Sequence, residues 1–311
     1  MFARRKVMND ELYGLFRRNF PMIVREEAVA RGILAHEGNR VLEKRDADGA
    51  LIGTAVVNGN AILMLCVDEG FRRQGIGTEL LRLAEEAILQ AGHREVVIGV
   101  GFDYLMPGVP TSRRYAPAVN ERLCAGLDDS ACAFFEKRGY VHSWDCNCFD
   151  MRFPLDEFPG APCRVGGAID GVTYRWAAPE ELDRVCACTD DACPDFTPYY
   201  RNPHFYDEHS RDRVLVAAVG QDIVGTLVVS LETEGKGLGS IGCTTVRRDH
   251  QGRHIAANLV TIATAHLRES GMAEAYLGYT YSGLDYLYGL AGYRICVYYM
   301  MARKGFKTNE G

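Results

Sequence analysis

The residues whose spacing carries the most chemistry lie in one loop: Arg72, Arg73, Gln74, Gly75, Ile76, Gly77 and Thr78. The loop follows a short apolar run, AILMLCV (61–67), and leads into TELLRLAEEAILQAG (78–92). In that second stretch Leu80, Leu81, Ala84, Ala87 and Ile88 recur at helical spacing, and Gly92 falls where a C-terminal cap belongs. Strand, glycine turn and helix in this order present the first N–H groups of the helix, and the positive end of its dipole, to whatever enters the turn. The chemistry is anion binding. Small residues let a phosphate approach the main chain, and Arg72 and Arg73 add charge beside it. No Gly-Lys-Ser/Thr ending follows, so this is not a P-loop, and the G-x-G-x-x-G order of a dinucleotide site is missing too.

The elements that must position this loop occur twice. SIGCTTV (240–246), RRDHQGRHIA (247–256) and ANLVTIATAHLRESG (257–271) repeat the strand, loop and helix, with Val67 and Gly92 matched by Val246 and Gly271 at a constant offset of 179 residues. Each helix is followed by a further strand candidate, REVVIGV (94–100) or EAYLGYT (274–280). Next comes a short helix ending in a Gly-aromatic pair, FFEKRGY (134–140) or LYGLAGY (287–293). Upstream, DADG (46–49) and NGN (58–60) predict two hairpins in the first copy, and GQD (220–222) and EGKG (234–237) two in the second. A chain of 311 residues is about twice a typical domain, so two domains are expected. The Pro- and Gly-rich stretch divides them into 1–155, a linker at 156–171, and 172–311. The first half alone carries an insertion at 101–130, which reads as lining or lidding a cleft.

Composition excludes other classes. Hydrophobic residues at 47% and charged residues at 24% describe a globular chain, and a net charge of -6 without a basic run argues against nucleic-acid or anionic-lipid partners. The apolar runs are far shorter than the roughly 20 residues of a membrane helix. The first residues lack the apolar core of a secretory signal, so a cytoplasmic location is expected. Eleven cysteines, an odd number, read as reduced thiols, and Cys146/Cys148 and Cys186/Cys188/Cys193 do not have the spacing of zinc knuckles. No metal site is expected.

With these motifs in view, the sequence resembles the GNAT N-acetyltransferases, whose loop pattern is [Q/R]-x-x-G-x-[G/A]. Arg72, Gly75 and Gly77 match it fully; Gln251 and Ala256 match it in the second copy, where His254 replaces the first glycine. The resemblance implies a mixed α/β fold: two tandem domains, each a twisted, mostly antiparallel sheet with a splayed central strand pair flanked by helices. It implies acetyl-CoA as cofactor, its pyrophosphate on the amides of Arg73 to Thr78 and its pantetheine arm along Leu65, Cys66 and Val67. The counterparts are Gly252, Arg253, His254, Ala256 and Ala257, with Thr244, Thr245 and Val246. A tyrosine before the Gly-aromatic pair commonly protonates the departing thiolate. The second copy has Tyr288 there, the first Phe135.

The implied reaction is direct attack by a primary amine of a small molecule or peptide; the alternative is a catalytically silent acyl-CoA-binding sensor or interaction module. Neither strand before the loops holds a carboxylate or histidine, so the base stays open among Asp103, Tyr104, Glu232 and Glu234. Cys66 and Cys243 read as small apolar strand residues rather than nucleophiles. Oligomeric state is not legible.

Overall fold

A computed structural model of the chain describes residues 2–99, 105–116, 127, 129–233 and 237–306, with residues 2–8 as backbone only. Two compact units form: one contains Met1–Ala118, Cys124–Cys148 and Val297–Gly311, the other Phe149–Cys296. The chain runs through α1 (Phe2–Asn19), α2 (Glu27–Leu34), β1 (Arg40–Arg45), β2 (Leu51–Asn58), β3 (Ala61–Val67), α3 (Ile76–Gln90), β4 (Glu95–Ile98), β5 (Val109–Thr111), α4 (Ser130–Glu136) and β6 (Val141–His142). It continues with β7 (Cys148–Pro154), β8 (Ala168–Ile169), β9 (Val172–Trp176), α5 (Leu182–Ala192), α6 (Thr197–Tyr200), β10 (Asp212–Val219) and β11 (Asp222–Ser230). The last elements are β12 (Leu238–Val246), α7 (Ile255–Glu269), β13 (Glu274–Tyr281), α8 (Asp285–Gly289), β14 (Arg294–Met300) and β15 (Ala302–Gly305).

The hairpins form where the turn residues place them. In the first unit β1, β2 and β3 make an antiparallel meander. Asp46 shapes the first turn, its carboxylate accepting from the N–H groups of Asp48 and Ala50 at 3.0 and 2.8 Å. The full strand order is β1-β2-β3-β4-β15-β6. In the second unit the order runs β7-β13-β12-β11-β10-β9-β8, with β10, β11 and β12 as the matching meander. The apolar stripe of α3 (Leu80, Leu81, Ala84, Ile88) is buried in the first unit's core with Ile52, Ala55 and Ile62.

The units do not follow a single cut near residue 155. β15 pairs with β4 and β6 in the first unit, and Phe149 to Pro154 of β7 belong to the second. Each is an apolar strand, and periodicity sets which face it buries but not which sheet accepts its edge.

Before α5, Glu181 anchors the second unit. The residue is 3% exposed. It accepts from Arg175 at 2.6 and 2.8 Å and from the N–H of Ala178 at 2.9 Å. The Arg175 guanidinium holds its pKa down at about 2. The stabilisation is therefore complete above pH 4.5 and lost as pH falls toward 2. Glu181→Gln is expected to cost about 3 kcal/mol at neutral pH and to flatten the acid limb of the stability curve, measured by urea unfolding at several pH values.

Candidate active site

Both copies build their sites by letting two parallel strands part. Among the described residues of the first unit, β3 and β4 pair at Ala61 with Val97 and Ile62 with Ile98, and the N–H of Gly99 closes onto the Ile62 carbonyl at 2.9 Å. Beyond Ile62, β2 still holds the other edge of β3, opposite Leu65, Cys66 and Val67. In the second unit β12 and β13 pair from Leu238 with Glu274 to Ser240 with Tyr276, and then separate. Thr244, Thr245 and Val246 lie on the separated half. Glycines on the neighbouring strand seat the helix against this end: a Cβ at Gly53 would lie 3.3 Å from Leu80, and one at Gly225 3.1 Å from Leu259. The helix N-terminus is thereby brought to the strand end.

The two loops follow one backbone path with the special residues exchanged. Left-handed conformations occur at Arg73 (φ 63°) and Gly75 (φ 85°) in the first copy, and at Gly252 (φ 75°) and His254 (φ 59°) in the second. The histidine thus takes the glycine's conformation instead of redirecting the loop. A non-glycine residue there costs about 1 kcal/mol or a little more. His254 is exposed, so His254→Gly is expected to raise unfolding stability by about 0.5 kcal/mol, the relief of the left-handed backbone being partly offset by the added freedom of the unfolded chain, measured by thermal or urea unfolding. Neither Gly75 nor His254 makes a side-chain cap, which leaves the first-turn N–H groups of α3 and α7 for a ligand anion.

Arg72 does a different job from the one its charge suggests. Its Nε donates to the Val67 carbonyl at 2.9 Å and a terminal nitrogen donates to Asn19 at 2.9 Å. Gln251 repeats the first of these contacts, donating to the Val246 carbonyl at 3.2 Å. The first residue of the loop pattern therefore pins the loop to its own strand. Gln74 donates back to Gly70, and Ile76 is buried in the core. A cleft of about 820 Å³ brings together Leu65, Cys66 and Val67 with Arg72, Arg73, Gly75, Gly77 and Thr78. Phe134, Lys137 and Arg138 complete its wall. Arg138 donates to the Thr78 hydroxyl at 2.7 Å and stacks 3.8 Å over Phe134. Sequence reasoning passed over Lys137 and Arg138, although they stand just before the Gly-aromatic pair. Phe135 is buried edge-on against Tyr140 and offers no hydroxyl.

The second copy supplies the phenol. Tyr288, only 3% exposed, donates to the Thr244 hydroxyl at 3.1 Å on the separated half of β12. Burial pushes its pKa up to about 12, so it carries its proton at neutral pH. Between β11 and β12 a bulge puts Cys243 in a left-handed conformation (φ 51°), and Tyr200 donates to its carbonyl at 2.7 Å. Thr226 and Thr245 join hydroxyls across the strands at 2.6 Å. Gly252, Arg253 and His254 stand exposed, with Ala256 and Ala257 half-buried behind them.

Burial raises the Cys66 thiol strongly and the Cys243 thiol to about 12, so neither is a thiolate at neutral pH. Glu232 accepts from the N–H of Gly237 at 3.2 Å and serves its hairpin rather than the site. Asp103, Tyr104 and Glu234 lie outside the described residues. Among the described residues no cluster of His, Cys, Asp and Glu could hold a metal, and no helix is long and apolar enough to cross a membrane.

The acetyltransferase (GNAT) family profile matches residues 9–105 and 176–285, more than half of the chain. The chain therefore belongs to the GNAT family, in a tandem arrangement. No curated protein matches the sequence. Among solved structures, the chain is similar to a tandem GNAT protein from the clavulanic acid biosynthesis pathway, at 15% identity and TM-score 0.68 over 98% of this chain and 97% of that one. It is also similar to a GCN5-related glucosamine N-acetyltransferase region of a fungal multi-domain GH3 beta-N-acetylglucosaminidase, at 17% identity and TM-score 0.70 over 95% of this chain. The chain spans only 37% of that protein's length. A GCN5-related N-acetyltransferase from Sphaerobacter thermophilus is 22% identical, with TM-score 0.59, over 85% of this chain and 80% of that one. At these identities the likeness establishes the fold.

Proposed function

We propose that the chain transfers an acetyl group from acetyl-CoA to a primary amine of a small molecule or peptide, by direct attack, and that the second copy performs the transfer. The observation that carries this reading is the Tyr288 hydroxyl held on Thr244, at the separated end of β12 where α7 begins. Acetyl-CoA supplies its acyl group as a thioester, which an amine converts to an amide with release of the thiol. The donor set suits this ligand: uncapped first-turn amides at each helix start take the pyrophosphate, and the separated strand edge takes the amides of the pantetheine arm. Loop residues Gly252 to Ala257 bind and orient, Thr244 holds the phenol, and Tyr288 gives its proton to the leaving thiolate. The first cleft offers the same anion cradle without a phenol at position 135, and it binds CoA without turning it over.

The test is thiol release from acetyl-CoA with lysine, spermidine, glucosamine and a short peptide as acceptors. Release with at least one supports the reading. Thermal stabilisation by CoA without release from any would instead make the chain a silent acyl-CoA-binding module.

A further inference from the structure

The proposed transfer still lacks a group to take the amine proton, and the strands before the loops hold none. Across the gap, on β13, Tyr276 is the last residue paired to β12, opposite Ser240, and so stands at the vertex where the strands part. Its ring lies forward along the separated half: a Cβ at Gly278 would be 2.7 Å from the Tyr276 hydroxyl, so only glycine leaves room for it there. That hydroxyl donates at 2.8 Å to Asp150 of β7, a carboxylate only 2% exposed. The other Asp150 oxygen accepts at 2.8 Å from the N–H of Tyr279, whose left-handed conformation (φ 51°) turns the amide toward it. A buried carboxylate is expensive to keep, and here β13 is bent to satisfy it.

We propose that Tyr276 is the proton acceptor for the attacking amine, with Asp150 acting through it as the positioning residue that receives the phenol's own proton. This rests on the acetyl-transfer reading. As the amine nitrogen forms the new C–N bond and the thioester C–S bond breaks, the nitrogen's proton passes to the Tyr276 oxygen and the Tyr276 proton passes to Asp150. The thiolate takes its proton from Tyr288. Solvent then removes the proton from Asp150, by way of Tyr276, and returns one to Tyr288, so both sides balance. Charged and titratable groups near this pair include Arg152, 6.0 Å from the Tyr276 ring and ion-paired to Glu274 at 3.2 Å, and the Cys296 thiol, 3.4 Å from the Asp150 backbone carbonyl.

The variants Tyr276→Phe and Asp150→Asn test this in the full chain, with acetyl-CoA and the same four amines. The expected result is a fall in kcat of about 100-fold in each, with the thermal shift produced by CoA and the KM for acetyl-CoA unchanged. The pH dependence of kcat should change shape in Asp150→Asn, losing the limb set by the enzyme's own base, whereas loss of a purely structural contact would lower the whole profile and keep its shape. If Asp150→Asn fails to fold, Tyr276→Phe decides alone, because it keeps the ring and removes only the hydroxyl. Turnover by Tyr276→Phe within about three-fold of the unaltered protein overturns the relay while leaving acetyl transfer standing. Absence of thiol release by the unaltered protein with all four amines overturns both.

Discussion

Tyr288→Phe is expected to lower kcat by about 100- to 1,000-fold while the affinity for acetyl-CoA changes by no more than about two-fold. The phenol sits on the separated half of β12, is enclosed on nearly all sides and carries its proton at neutral pH because burial disfavours the phenolate. A group in that state can donate to a developing thiolate. Removing the hydroxyl also removes its bond to Thr244, a loss of about 1 kcal/mol that the ring's packing against Tyr293 should absorb without unfolding. Steady-state kinetics together with calorimetric titration of CoA separates the two effects. Retained activity would remove Tyr288 from the mechanism.

The second large effect concerns the cradle. Gly77→Glu is expected to weaken CoA binding at the first cleft by about 100-fold or more, since it sets a carboxylate among the first-turn amides where the pyrophosphate must lie. The fold should survive, because a Cβ at Gly77 meets Phe134 at 3.7 Å and Val67 at 3.8 Å, ordinary contact distances. Gly77→Ala, which adds the Cβ without the charge, is the control for that point. The corresponding change in the second copy is Ala256→Glu. If the second copy performs the chemistry, Ala256→Glu abolishes turnover, whereas Gly77→Glu removes one CoA site from the calorimetric stoichiometry and spares kcat.

Much of this architecture was legible because it is written in local signals. The offset joining Val67 to Val246, the helical stripe from Leu80 to Ile88 and the Asp46 turn each act over a few residues, and each reads without knowledge of the partner strand. Non-local facts were not legible. Nothing in the alternation of β7 or β15 says which sheet will take its edge, so the units interleave where a single boundary was expected. Arg72 looked like a phosphate ligand by charge, yet its geometry commits it to the Val67 carbonyl. Gln251, an uncharged residue in the same place, makes the same contact to its own strand, so the position serves the strand. His254 looked like a disruption, but it adopts the left-handed conformation that Gly75 has, and Gly252 takes the one that Arg73 has. Asp150 could not be found from motifs, because it meets Tyr276 only through pairing of β7 with β13.

Acetyl transfer by the second copy is tested most directly by thiol release from acetyl-CoA, run in parallel for the unaltered chain and for Tyr288→Phe against lysine, spermidine, glucosamine and a short peptide. Release by the unaltered chain with at least one amine is expected, with its near-complete loss in Tyr288→Phe and equal stabilisation of both proteins by CoA. Stabilisation by CoA without release from any amine, or undiminished release by Tyr288→Phe, would contradict transfer by the second copy.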